Sequence, residues 1–254
     1  MGSRTFKDEA VVLRSLRFGE ADRILHVFTR ERGRLGAIAK GARRPRSRFG
    51  GRLEPGSRVE LVLHEGRGDL ATVTGADLIR SHQALALDPY RLRVAQIGLE
   101  AVLRLFLEHD PSPRTFHVLV RFLDLLDDRP PGPPAASRPP DPALDPLALA
   151  LQLKLLWLAG YLPHLATCAG CGAPGPIAAF SAAAGGAVCD SCAAGGMPLG
   201  EAGFEAIRGM LERPLADAEA TALERGAARE AARVVQSLHE YHGGFRLRTV
   251  ASRG

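Results

Sequence analysis

Four cysteines, all within 25 residues, fall into two pairs, Cys168-Ala-Gly-Cys171 and Cys189-Asp-Ser-Cys192, with 17 residues between them. Each CxxC brings two sulfurs to one side of a tight turn. Two such turns face to face complete a tetrahedron of thiolates around zinc, at about 2.3 Å per Zn–S bond. Gly170, Gly172, Gly185 and Gly186 are small enough for turns that bend round an ion. Four thiolates close the coordination sphere and leave no position for a reacting water, and no His-plus-Glu pair is interleaved with them. The expected role of one Zn2+ ion is therefore structural, stabilising a stretch whose own core is thin. Disulfides are the weaker reading in a sequence with no apolar leader at its start, and a redox CxxC needs no second pair. His164 stands near enough to replace one sulfur and reads more simply as a surface histidine.

The second chemically loaded stretch is "KGARRPRSRFGGR", residues 40–52, with six cations and no acid. Residues 1–80 hold 17 Lys and Arg against 10 Asp and Glu, and residues 81–254 hold 16 against 18, so the whole net charge of +5 comes from the first third. A loop that only maintains solubility mixes signs, because unbalanced charge repels itself. This one is built for a polyanion.

Enzyme motifs fail in turn. None of Lys7, Lys40 and Lys154 is followed by Ser or Thr, so no Walker A sequence exists. Gly66 to Ala71 fits GxGxxA but lies between two expected strands, and Gly170 to Gly175 fits GxGxxG inside the zinc turn. Asp124, Asp127 and Asp128 suggest a nuclease metal cluster, against which stands the ordinary solvated end of a helix. No catalysis is expected.

The elements that must position these residues begin with five β-rich runs, at 6–16, 23–29, 35–40, 58–64 and 70–78, separated by glycine or charged turns. Val59, Leu61 and Leu63 alternate with Arg58, Glu60 and His64, apart from Val62, the pattern of a sheet with one buried face. Five short strands in about 75 residues suggest a small closed barrel, with an OB-fold as the first candidate. The arginine loop then joins the third and fourth strands and projects from the barrel. Beyond residue 80 the pattern turns helical: Val94, Ile97, Ala101 and Leu105 recur at helical spacing, and Ser112-Pro113 reads as an N-cap and first turn before Phe116, Leu119, Val120 and Leu123. Residues 129–146 hold eight prolines in 18 positions, a spacer that excludes both helix and central strand. Helix resumes at Leu147, and the alanine-rich stretches 201–212 and 216–242 complete an α+β chain: an OB-fold DNA-binding domain at 1–80, and a helical domain at 81–254 with a proline-rich insertion at 129–146 and a zinc finger at 165–195. The apolar run 147–162 is interrupted by Gln152 and Lys154 and is short of a membrane span. With no apolar segment near the N-terminus, and Phe6 where a myristoylation motif wants Ser or Thr, cytoplasm is the expected location.

The residues "EADRILHVFTRERGRLGAIAKGARRPRSRFGG" and "LEPGSRVELVL", with "LDPYRLRVAQIGLEAVLRLFLE", the paired CxxC motifs and the "YHGGFRLRT" tail, resemble the RecO family of bacterial DNA repair proteins over nearly the whole chain. The proline-rich segment and the alanine-rich zinc loop depart from that pattern. The resemblance implies recombination mediation: annealing of complementary strands, complex formation with RecR, and loading of RecA onto strands coated by single-strand binding protein (SSB), in the cytoplasm at the nucleoid. On this reading Arg34, Lys40, Arg43, Arg44, Arg46, Arg48 and Arg52 contact phosphates of single- and double-stranded DNA with little sequence preference. Of the aromatics in the first 80 residues, Phe6 and Phe28 are expected in the core, and Phe49 beside Arg48 is the stacking candidate. Three other classes stay open: an RNA-binding OB protein with a zinc ribbon, a metal-dependent nuclease, and a scaffold that binds no nucleic acid.

Overall fold

The computed structural model describes residues 4–66, 68–130, 141–218 and 223–250. The chain divides into two compact units, Met1–Asp128 and Arg129–Gly254.

The first unit is built on five strands, β1 (Arg4–Phe18), β2 (Asp22–Thr29), β3 (Gly33–Ala39), β4 (Arg58–Glu65) and β5 (Ala71–Arg80). They close into a barrel in the order β1-β2-β3-β5-β4, antiparallel throughout except for β3 beside β5. At 15 residues β1 is long enough to serve two neighbours. Its residues 4–11 pair with β4 and its residues 10–18 with β2, and a shift of register between Val12 and Arg14 bends the strand where one partner gives way to the other. Period-2 alternation sends Val59, Leu61 and Leu63 inward to meet Ala10, Val12, Leu25, Val27, Leu35, Ala37 and Val73 in one buried cluster. The expected OB-like α+β architecture is thus present.

The β3–β4 connection departs from the expected projecting loop. Phe49 and Leu53, four residues apart, are 1% and 2% exposed and join the barrel cluster, with Ala42 packed beside them. Residues 50–53 wind into a single 3-10 turn between these anchors. Burying two large apolar side chains contributes about 3–6 kcal/mol, enough to hold the segment down as a lid over the barrel's end.

Helices α1 (Gln83–Leu87), α2 (Pro89–Leu105) and α3 (Pro113–Asp128) belong to this unit, not with the later helices as the sequence suggests. Asp88 caps α2 by accepting the N–H of Tyr90 at 2.9 Å, and Ser112 caps α3 as expected. Of the three aspartates ending α3 only Asp128 is largely solvated, while Asp124 and Asp127 are 19% and 15% exposed. Arg80 holds Asp124 and Asp127 at 3.1 and 3.0 Å and also pairs with Asp128. His82 bridges the Gly56 carbonyl and Asp124, and Asp127 accepts the N–H of Ala84 at 2.8 Å. These carboxylates are engaged in fastening α3 to the end of β5, a structural use of the acids.

The second unit is centred on α4 (Pro146–Leu158), with α5 (Glu201–Glu212) and α6 (Arg225–Gly243) packed against it. Helix α4 is buried nearly all round, which accounts for the long apolar run. Its two polar interruptions have local uses: Gln152 donates to the Ala148 carbonyl, and the Lys154 ammonium donates to the carbonyls of Leu211 and Arg213 at the end of α5. Asp145 caps α4 and receives both guanidinium nitrogens of Arg129 at 3.0 and 3.1 Å. Most of the proline-rich segment, 131–140, lies outside the described residues, and its end forms a 3-10 turn at Pro142–Leu144. No helix among the described residues is long and apolar enough to cross a membrane. A small sheet of β6 (Ala179–Ser181), β7 (Gly186–Val188) and β8 (Met197–Pro198) frames the cysteines.

Candidate nucleic-acid interface and cysteine cluster

The basic segment is pinned at its root as well as by its apolar anchors. Gly41 N–H donates to the Asp22 carboxylate at 2.7 Å, Arg43 N–H to the Ala21 carbonyl at 2.8 Å, and the Arg43 guanidinium to the Gly19 carbonyl at 3.2 Å. These bonds lay the segment against the β1–β2 turn. With Phe49 and Leu53 turned in, Lys40, Arg43, Arg44, Arg46, Arg48 and Arg52 are all exposed. Among the described residues no carboxylate lies within ion-pair distance of any of the six. Their polar contacts are to backbone, such as Arg52 to the Arg48 carbonyl at 2.7 Å. The nearest acid in sequence, Glu54, is taken by Arg23 at 2.9 Å. A cluster of unneutralised guanidinium groups on an ordered support is a concentrated positive field, and it favours a ligand that carries closely spaced negative charge.

Two residues assigned to this surface from sequence leave it. Arg34 is only 19% exposed in its side chain; it pairs with Glu108 at 3.1 Å and donates to the Phe106 carbonyl at 2.9 Å, which clamps the segment after α2 onto β3. Phe49 is a core residue, and Arg48 lies over the outside of its ring with 4.9 Å from guanidinium to centroid, so its face is not open to a base. Phe28 is in the core as expected, and Phe6 is half-buried under Arg32, 3.8 Å above its ring. Replacing Arg34 with Ala is expected to lower stability by about 1–3 kcal/mol, through loss of a charge-assisted hydrogen bond and a half-buried pair, while the salt dependence of DNA binding stays that of the parent. Urea unfolding beside a salt titration of binding separates the two effects. Sequence reasoning misses Arg14 and Arg17, both exposed at the end of β1. They lie 23 residues or more ahead of the loop, outside the run that draws attention to it.

The four cysteines converge as their spacing predicts. One ligand atom from each lies within 4.8 Å of every other, and Cys171 Sγ and Cys189 Sγ are 3.8 Å apart. Sulfurs at the corners of a tetrahedron with 2.3 Å bonds stand about 3.8 Å from one another, so the set fits a zinc ion. A side chain at Gly170 would bring its Cβ to 3.2 Å from the Sγ of Cys192, so the close approach of the two CxxC turns depends on glycine there. The Cys189 N–H, donating to Cys168 Sγ at 3.3 Å, is the main cause that lowers the Cys168 thiol to about 6, whereas hydrogen bonds that the Cys192 thiol donates to its neighbours, Cys171 first, push it up to about 12. Four thiolates this close repel one another, so a cation among them favours the fully ionised set. His164 is not part of the set; its Nε2 lies 2.8 Å from Thr167 Oγ1.

An OB-like barrel under a cationic lid, followed by a helical unit that holds a four-cysteine cluster, defines a two-part α+β protein with a polyanion-binding surface and a metal site. Residues 1–82 match the family model for the recombination protein O N-terminal domain, and residues 86–251 match that for its C-terminal domain. Curated relatives named DNA repair protein RecO include one from Anaeromyxobacter sp. strain K, 38% identical over 93% of this chain and 91% of its own length. Another, from Rubrobacter xylanophilus, is 38% identical over 91% and 90%, and one from Frankia casuarinae is 44% identical over 74% and 73%. The chain belongs to the RecO family, and its role lies in DNA repair and recombination.

Proposed function

We propose that this protein is a non-enzymatic recombination mediator that binds single- and double-stranded DNA without strong sequence preference and anneals complementary strands. The observation that carries the reading is the set of six exposed cations, Lys40, Arg43, Arg44, Arg46, Arg48 and Arg52, presented without carboxylate partners among the described residues on a barrel of OB type. Contacts to phosphate release counterions and read no bases, so affinity depends on charge spacing more than on sequence. Neutralising two strands on one surface lowers their mutual repulsion, and complementary bases then pair without nucleotide hydrolysis.

On this reading the barrel, residues 1–80, is the DNA-binding part of the first unit, helices α1 to α3 support it there, and the later helices form a separate unit with the proline-rich segment at 129–146 and the zinc finger at 165–195. Cys168, Cys171, Cys189 and Cys192 hold one structural Zn2+, which supplies a fixed centre for a small sheet with little core of its own. Family membership supports RecR and SSB as partners, RecA as the protein loaded on the DNA, and a cytoplasmic, nucleoid-associated setting.

Direct binding of unrelated single strands, duplexes and RNA of equal length tests the reading. Comparable affinity for the two DNA sequences, falling steeply with salt and with no magnesium-dependent cleavage, is the expected outcome. Tighter binding of RNA than of DNA would favour an RNA-binding protein.

A further inference from the structure

The outer face of β1, β2 and β3 is covered at one end and open at the other. In the covered half Val11 pairs with Phe28 and Phe28 with Arg34; the Phe28 ring meets that of Phe106 at 5.8 Å, and Arg34 is bound to Glu108. In the open half a cross-strand row runs Leu16, Ile24, Ile38, each directly opposite the next and each half-buried. Strand alternation places Phe18 and Arg14 on the same face as Leu16, at its two sides. Phe18 is 50% exposed at the very end of β1. Beside this row Leu70, which precedes β5, lies over Gly36: its Cδ2 would stand 2.7 Å from a Cβ there. An exposed ring at the end of an aliphatic strip is an unusual thing to leave beside an array of arginines. The hydrogen bonds from Gly41 and Arg43 to Asp22, Ala21 and Gly19 root the cationic lid at the turn that follows Phe18.

We propose that this strip is the base platform of the DNA site, with Phe18 as the side chain on which an unpaired base of single-stranded DNA stacks, while Arg14, Lys40 and Arg43 hold the phosphates on either side. The proposal rests on the DNA-binding reading above and adds to it a means of telling one strand from two. A duplex turns its phosphates outward and keeps its bases stacked on one another, so it engages the arginines alone. A single strand offers both phosphates and free base faces, and it gains the stacking interaction in addition. The surrounding cations single out a polyanion as the occupant in preference to an apolar protein surface.

The test compares the full-length protein with Phe18→Ala, using an oligothymidylate and a duplex of equal length at fixed salt. Loss of one stacked base is expected to weaken single-strand binding by about 5- to 150-fold, with duplex affinity and the salt slope unchanged. Phe18→Tyr restores it. Moving the single tryptophan to the site, by Phe18→Trp in a Trp157→Phe background, supplies a direct signal: quenching of its fluorescence by the single strand and not by the duplex. Equal single-strand affinity in parent and Phe18→Ala, with no quenching, overturns the platform while leaving the arginine surface standing. An equal loss for both strand forms overturns it too, since that marks a general disturbance of the lid. Failure of the parent to bind either DNA removes the DNA-binding reading and the platform with it.

Discussion

Changing Arg43, Arg44, Arg46 and Arg48 together to Ala flattens the salt dependence of single-strand binding by about 3 log units per log unit of salt, from roughly 0.7 for each phosphate no longer neutralised. Between about 50 and about 200 mM salt the parent then loses about fifty-fold more affinity than the variant. The size follows from the geometry of the lid. All four side chains are exposed, none is neutralised by a carboxylate among the described residues, and the backbone beneath them is fixed by Phe49, Leu53 and the bonds to the β1–β2 turn. Of the anchors only the exposed Arg43 guanidinium bond to Gly19 is lost, while Phe49, Leu53 and the backbone bonds from Gly41 and Arg43 remain, so the variant keeps its fold with a stability change expected within about 1 kcal/mol. A slope equal to that of the parent would place the DNA on another surface.

Replacing Cys168 with Ser is expected to abolish stoichiometric zinc and to unfold the region around the β6–β7–β8 sheet, leaving the barrel intact. Cys168 is the most buried of the four cysteines, 1% exposed, and packs with Ala179 and Val188 in a cluster of only three fully buried residues. So small a core cannot order some thirty residues, and the metal must provide most of the free energy; structural zinc sites of this type contribute roughly 10–16 kcal/mol at neutral pH. Hydrogen exchange followed by mass spectrometry on the whole chain reads the result by segment. Protection is expected to collapse over residues 165–198 and to persist in residues 4–66. A chelator should reproduce the pattern in the parent, more readily as the pH falls and protons compete for the sulfurs. Unchanged protection around the cysteines would show a stretch that folds without metal.

How far the sequence discloses this structure depends on the range over which each feature is determined. The cysteine cluster is local: two CxxC turns dictate where four sulfurs point, and they converge as expected. The barrel is legible because Val59, Leu61 and Leu63 alternate so regularly, and closure follows once five such strands must bury one face. The lid is not, because Phe49 and Leu53 are two apolar residues in a run of arginines, and composition gives no sign that they turn into the barrel. Arg34 resembles the loop cations in sequence because its partner Glu108 lies 74 residues away, beyond any local pattern. The same holds for α3, whose terminal aspartates read as solvated until Arg80 and His82 appear beside them. Phe18 and Phe49 illustrate the point most directly. The aromatic adjacent to the arginines in sequence is buried, and the exposed one lies 22 residues before Lys40, brought to the lid only by the pairing of β1, β2 and β3.

If one cationic surface handles two strands at once, the rate at which complementary oligonucleotides anneal measures that capacity most directly. The measurement uses purified protein without ATP, on bare strands and on strands coated with SSB. Acceleration in both cases, abolished when Arg43, Arg44, Arg46 and Arg48 are replaced by Ala, is the predicted result. Tight binding of each strand with no gain in annealing rate would contradict it.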